Sequence, residues 1–474
     1  MNMRCSAGRV GALLAAAVLA TSASTARGQA AGGGGAGGGS GIAGVGIDAS
    51  RLLKCFVDEN GVLQKVVMGD PSGRLSEQKR AAGRRAHNAV LGKKSPLRKI
   101  SLNRLEQAVE AIAAGGRPSE EMRYLAGLSK IQYVFFYPDS GDIVLAGPAE
   151  GWFVDLTGRV VGVDSGRPVL ELEDLVVALR AYGPGKTEGP MIGCSIDPTP
   201  EGLAKMQQFL SSINPSPDDA DLIVDGLRTS LGLQKVRVLG ISPNTHFAQV
   251  MVEADYRMKL IGIGAEAPPF KKLVPYVKNA DPATNRNALQ RWFFTPNYDC
   301  LKVSEDRQAM ELVGYGVKLV GENEFVAANG QRSKAGPSSR ASTTFTNSFT
   351  KYYPEVAARS PVYAQLRNLI DMAVAAAFIQ HEDYYSQAGW EMRLFGDEGQ
   401  FPVETHQAPT QVDTVVTSLW KSGRLMTPVG GGVHVEAELA LKSEYLLKDE
   451  GGKVEQARQQ TQLDHLKPGQ WWWD

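Results

Sequence analysis

The chain has 474 residues, 43% hydrophobic and 22% charged, with 51 basic and 51 acidic residues and no formal net charge. That balance is ordinary for a globular protein, and a chain this long can bury a core without metal or disulfide staples. Length alone suggests about three domains of roughly 150 residues each.

The N-terminus stands apart from the fold. Arg4 and Arg9 precede a short apolar run, VGALLAAAVLA, and small residues follow, with exits at Ala26 or Ala30. A charged start, an apolar core and a small-residue exit predict a secretory signal over residues 1–30. The run is shorter than the ~20 residues a bilayer span requires, so the mature chain is expected to lack a transmembrane helix. Cleavage after Ala30 removes Arg4, Arg9 and Arg27 and no acid, leaving 48 bases against 51 acids, net −3. The mature chain keeps Cys55, Cys194 and Cys300, an odd number that allows at most one internal bridge. Export with few cysteines predicts an extracytoplasmic protein, periplasmic or secreted.

Residues 31–46, AGGGGAGGGSGIAGVG, have almost no side chain to bury and read as a flexible tether. A first folded region is expected over 47–185. RLLKCFVDENGVLQKVVM predicts a hairpin, 74–92 and 101–114 have helical spacing, and Ser101 is placed as an N-cap. Residues 131–163 read as a four-strand meander with turns at PDSGD, GPAEG and DLTG, and 171–182 as a closing helix.

A second region is expected over 188–330. MIGCSID predicts a strand, and Thr199 caps a helix with Pro200 at its first position. A further helix over 217–231, the strand QKVRVLGI and a helix from 242 complete an α/β layer. RWFFT, LKVSE and GYGVKLVGE add strands with an antiparallel look. Residues 329–342 read as a polar linker. The third region, 343–474, is expected to be rich in helix with a short sheet segment. Its centre is SPVYAQLRNLIDMAVAAAFIQHED, with apolar residues at 362, 366, 369, 370, 373, 374 and 377. Arg367, Asn368 and Asp371 mark this as a core helix and not a membrane span. PVGGGVHVEAELAL predicts a late strand. The fold class expected is α+β: an N-terminal region of hairpin, meander and helices, a central α/β layer, and a C-terminal region built on a long buried helix.

The densest run of ionisable residues is SPNTHFAQVMVEADYRMKLIGIG, residues 242–264. Ser242-Pro243 predicts a helix start. At 100° per residue Phe247, Val250, Met251, Ala254, Met258 and Ile261 form one apolar stripe, with His246, Gln249, Glu253 and Arg257 opposite. His246 and Asp255 then lie about half a turn apart and form no dyad. Glu253 with Arg257 and Asp255 with Lys259 are acid-before-base pairs, each contributing about 0.2–0.5 kcal/mol on an isolated helix. Only His246 is left without a local partner.

Two chemical candidates remain. Cys194, at a strand end before a helix, could be activated by the helix dipole with His246 as a distant base; buried packing is the competing role. The histidines at 87, 246, 381, 406, 434 and 465 show no metal-motif spacing, so no metal site and no cofactor is expected. His434 with Glu436 and His381 with Glu382 and Asp383 are adjacent enough to share a ligand, or to make ordinary surface contacts. No phosphate loop or dinucleotide fingerprint appears, because the Gly-rich run follows the signal and not a strand.

Charge is unevenly spread. Residues 74–99 carry nine bases, including Arg80, Arg84, Arg85, Lys93 and Lys94, against Glu77 alone, whereas 171–225 carry ten acids against three bases. The basic block suits an anionic partner or complements the acidic block internally. No aromatic interleaves it, so nucleic acid is not expected. The chain ends QWWWD, and Trp471–Trp473 either fray or dock on the body, a partner or a membrane interface.

As a set, RKISLNRLE, IQYVFFYPDSGDIVLAGPAEGW, GRPVLELEDLVVALR, CSIDPTPEGL, THFAQVMVEADYRMKLIGIG, WFFTPNYD, LRNLIDMAVAAAF and GGVHV resemble a family of exported planctomycete-type bacterial proteins, a domain of unknown function. The resemblance covers most of 47–440 and implies export, with no catalytic residues to transfer. The expected function is a non-enzymatic binding or scaffolding protein of the bacterial cell envelope, acting on an envelope macromolecule or protein. The alternative is a cysteine-dependent hydrolase using Cys194.

Overall fold

Short apolar runs from widely separated parts of the chain pair into two large mixed sheets, with helices packed against them; the class is α+β. The computed structural model describes residues 52–474 apart from 113–116, 214–219, 281–287, 327–330, 337, 415, 417–419, 422–423, 426–428, 462 and 464. The signal and tether expected over 1–46 lie outside the described residues.

The nine-stranded sheet runs in the order Leu52–Val57, Val62–Met68, Gln411–Val412, Gln234–Leu239, Ile192–Asp197, Val429–Val435, Ala288–Pro296, Val317–Val326, Arg332–Gly336. All neighbours are antiparallel except Gln411–Val412 on Val62–Met68 and Val429–Val435 on Ala288–Pro296. Strands from all three expected regions thus share one sheet, and the described residues from Leu52 onward belong to one compact unit. The segment 329–342, expected as a polar linker, supplies the edge strand Arg332–Gly336 and, from Arg340, the helix Arg340–Lys351. An edge strand has one unpaired side and tolerates a polar, charged composition that mimics a loop.

The seven-stranded sheet holds Leu446–Lys448, Leu301–Val303, Ala309–Leu312, Tyr133–Tyr137, Asp142–Ala149, Ser95–Ser101 and Trp472–Trp473, in that order. The expected meander is therefore divided. Tyr133–Tyr137 and Asp142–Ala149 form a hairpin in this sheet, while Trp152–Val154 and Val160–Gly162 pair as a separate small sheet. The turn residues marked both hairpins, but turn chemistry does not say which sheet a hairpin joins.

The Trp run docks on the body. Trp472 pairs with Ile100 and Trp473 with Lys99, and Trp471 and Trp473 are buried. The fully buried Arg98 reaches Asp474 at 2.8 and 3.1 Å, and its guanidinium lies 4.6 Å from the Trp472 ring centre.

Local capping follows the sequence closely. Ser101 accepts from the Arg104 N–H at 3.4 Å and Thr199 from that of Gly202 at 3.0 Å. The helix expected from Ser242 begins instead at His246 and runs His246–Gly262, with Thr245 accepting from Ala248 N–H at 3.2 Å. Thr245 is the better cap because its hydroxyl stands three residues before that orphan donor.

This helix packs on the strands Ile192–Asp197 and Val429–Val435 and on the helices Leu172–Ala181 and Pro361–His381. Both predicted ion pairs form, Arg257–Glu253 at 3.4 Å and Lys259–Asp255 at 2.8 Å. They are buried, however, so each needs further partners. Arg159 adds a 2.5 Å contact to Glu253, Glu266 binds Arg257 at 2.8 Å, and Ile196 O accepts from Lys259 at 2.9 Å. Pro361–His381 is long and apolar enough to cross a membrane by composition, yet its most apolar window is 89% buried within the fold. All seven of its predicted apolar positions are buried.

Candidate functional site

His246, left without a partner on its own helix, meets its partners across a helix–helix contact. The helix Leu172–Ala181 opens on Glu171-Leu172-Glu173-Asp174, acids that suit a helix N-terminus because orphan N–H groups and the macrodipole favour negative charge there. It packs against the start of His246–Gly262, placing His246 Nδ1 2.9 Å from Asp174 Oδ2 and His246 Nε2 4.0 Å from Glu171 Oε1. His406 arrives from a loop. Its N–H donates to Asn244 O at 2.9 Å, and Gln249 Nε2 holds Gln407 O at 3.0 Å. That anchoring sets His406 Nε2 3.6 Å from Glu173 Oε1, with its ring centre 5.6 Å from that of His246.

Three carboxylates and two imidazoles therefore share one spot. Asp174 is 4% exposed, while the Glu171 and His246 side chains are mostly enclosed and those of Glu173 and His406 are half-buried. Burial pushes the Glu171 carboxyl up to about 7, against the opposing pull of His246. Burial also raises Asp174, opposed by the His246 imidazolium. Burial alone would lower His246, but Asp174 and Glu171 outweigh it and push the imidazole up to about 10. Burial works against ionisation of Glu173 too, yet the His406 hydrogen bond and the charge of His246 hold it below the usual range. The cluster is rich in acid, with three carboxylates beside two imidazoles.

Glu171 and Glu173 also form part of the wall of a cavity of about 790 Å³, lined further by Val109, Tyr124, Leu394 and Phe401 and bordered by Arg123. Its mixture of apolar walls with a few convergent polar groups is the usual composition of a small-molecule site.

The other candidates separate from this place. Cys194 sits mid-strand in the large sheet, paired with Val238 and Val433 and 3% exposed. Burial, then the charge of Asp255, pushes its thiol far up, which works against thiolate formation at this enclosed position. Among the described residues it makes no hydrogen bond to His246. Cys55, Cys194 and Cys300 are all free thiols. Native protein is expected to modify Cys194 with a maleimide on the order of 100-fold or more slowly than unfolded protein, since labelling then needs an opening of the central sheet. Fast native labelling of Cys194 in a peptide map would restore it as a nucleophile.

Arg84, Arg85, Lys93 and Lys94 are exposed and Arg80 is half-buried. Arg84 reaches Asp164 at 3.4 Å and Arg80 reaches Glu77 at 3.9 Å. Among the described residues no ion pair joins the basic block to 171–225. His434–Glu436 at 2.7 Å and His381–Glu382 at 3.0 Å are partly exposed pairs, and Glu382 is already taken by Arg307.

Glu171, Glu173, Asp174 and His406 escaped the sequence reading. The one local signal was the acidic ELED start beside an otherwise unpaired His246. No spacing rule connects 171–174 with 246 and 406.

Residues 194–276 match the model of a family described as a protein of unknown function (DUF1598). The match takes in CSIDPTPEGL and THFAQVMVEADYRMKLIGIG, His246 included; the other motifs of the broader resemblance lie outside it. No curated protein and no solved structure is significantly similar to the chain.

Proposed function

We propose that this chain is an exported binding protein of the bacterial cell envelope whose ligand site is the cavity beside Glu171 and Glu173. The observation that carries this reading is the cavity itself: about 790 Å³, apolar along Val109, Leu172, Leu394 and Phe401, with charged groups gathered at Glu171, Glu173 and Arg123. That volume lies within the ~300–1,000 Å³ typical of small-ligand pockets. The matching ligand has an apolar body and a polar end. The signal-like N-terminus supports export, and the mature chain would begin at Arg27 or Ala31 in an envelope fraction.

The test uses N-phenylnaphthylamine, a fluorescent apolar amine, titrated into the purified mature chain. One saturable site is expected, lost in Leu394→Trp, which fills the cavity, and kept in a surface control such as Lys442→Gln. Equal probe binding by wild type and Leu394→Trp would remove the cavity as the site. The exposed Arg84, Arg85, Lys93 and Lys94 favour a second surface role toward an anionic macromolecule, which would appear as salt-sensitive binding.

A further inference from the structure

Two features of the cluster go unexplained by ion pairing alone. His246 Nδ1 is hydrogen-bonded to Asp174, whereas Nε2 lies 4.0 Å from Glu171 Oε1, too far for a hydrogen bond. The second oxygen of Asp174, Oδ1, is enclosed with no hydrogen-bond partner among the described residues. Buried polar atoms are nearly always satisfied, so an orphan here calls for an occupant.

One ligand atom each from Glu171, Glu173 and His246 lie within 4.8 Å of one another. Ligand bonds of about 2.0–2.2 Å from a single ion reach atoms gathered this closely after small side-chain adjustments. His406 Nε2 stands beside this trio, 3.6 Å from Glu173 Oε1, and would join it by a further side-chain adjustment. A carboxylate that holds one imidazole nitrogen while the other faces the ion is the recurring outer-shell arrangement of metal-bound histidine, because it fixes the tautomer and the ring. Asp174 stands in that relation to His246.

We propose that Glu171, Glu173 and His246, completed by His406, bind one divalent transition-metal ion, with Asp174 orienting the His246 ring. Two imidazoles with two carboxylates select zinc-like or cobalt-like ions over calcium and magnesium, which prefer all-oxygen shells. The negative surplus of the cluster favours a divalent cation, and the adjoining cavity leaves the ion accessible from that side. The inference goes beyond the cavity reading: it requires neither export nor a ligand in the cavity, so probe binding and metal binding fail or succeed separately.

The experiment takes the mature chain stripped with chelator, titrates zinc chloride calorimetrically, and records the visible spectrum after loading with cobalt(II). One equivalent of zinc is expected to bind, and cobalt is expected to give ligand-field bands of a nitrogen–oxygen site. Glu173→Gln and His406→Gln, both at half-exposed positions, should each weaken zinc binding at least ~10-fold and change the cobalt bands, and Asp174→Asn should weaken it about 10–100-fold. His434→Gln should change nothing. Absence of a stoichiometric zinc site overturns the proposal. Binding that is unaltered in Glu173→Gln and His406→Gln but lost in His434→Gln overturns it equally, by placing the metal on the surface pair. Circular dichroism of each variant separates lost ligands from lost fold; if Asp174→Asn unfolds, the His406→Gln result decides.

Discussion

Removing Trp471–Asp474 is expected to abolish cooperative folding. Trp471 and Trp473 are buried, and truncating a buried aromatic to alanine alone costs about 3–5 kcal/mol. The cut also strands Arg98, fully buried, without Asp474, its only carboxylate partner among the described residues. Arg98 keeps its bonds to the Leu91, Ala126, Val90 and Lys93 carbonyls but loses its counter-charge, and breaking a buried ion pair costs up to about 3–5 kcal/mol more. Together these losses approach the whole stability of a typical domain, about 5–15 kcal/mol. Asp474→Asn is the milder version, expected to cost about 1–2 kcal/mol because its side chain is a third exposed. Burial pushes the Asp474 carboxyl up, but hydrogen bonds from Arg98 and Ser95 outweigh that and hold it below the ordinary range. A depressed carboxylate stabilises fully above its unfolded pKa of about 4 and loses the contribution as pH falls below that value. Thermal and urea melts of the truncated chain, Asp474→Asn and wild type provide the measurement. An unchanged midpoint in the truncated chain would show that the Trp strand contributes nothing.

Gly431→Ala should be strongly destabilising as well, though less so than the truncation. Gly431 lies on the central strand Val429–Val435 at φ +137, a conformation that L side chains rarely adopt, and an added Cβ would come within 1.8 Å of Trp292 O. The neighbouring atom is backbone, so relief requires the strand Ala288–Pro296 to move. That strand is held by Trp292, which packs 4.7 Å from Phe345 and 5.2 Å from Tyr276 and donates from Nε1 to Ser342 Oγ at 2.8 Å. Backbone strain of about 1–3 kcal/mol and overpacking of about 1–3 kcal/mol then add to roughly 3 kcal/mol or more. Gly69→Ala is the control, since nothing lies within 4 Å of its added Cβ and its φ is not positive. Chemical denaturation should separate the two variants clearly. Equal stabilities would mean that the central strands can part without cost.

What could be seen in the sequence was local. The helix through 246–262, its apolar stripe and its two acid–base pairs follow from periodicity, and so does the burial of Pro361–His381, because a helix repeats its face every 3.6 residues. Ser101 and Thr199 were legible as caps because an orphan N–H three residues away is a local problem with a local answer. The tertiary structure decided the rest. It turned two surface-style ion pairs into a buried network by closing other elements over the helix. It gave the polar segment 332–336 an edge-strand partner and the terminal tryptophans a sheet to join. Above all it assembled Glu171, Glu173, Asp174, His246 and His406 from three distant stretches. Packing between helices and the course of a loop are set by the whole core, and no spacing within one segment encodes them.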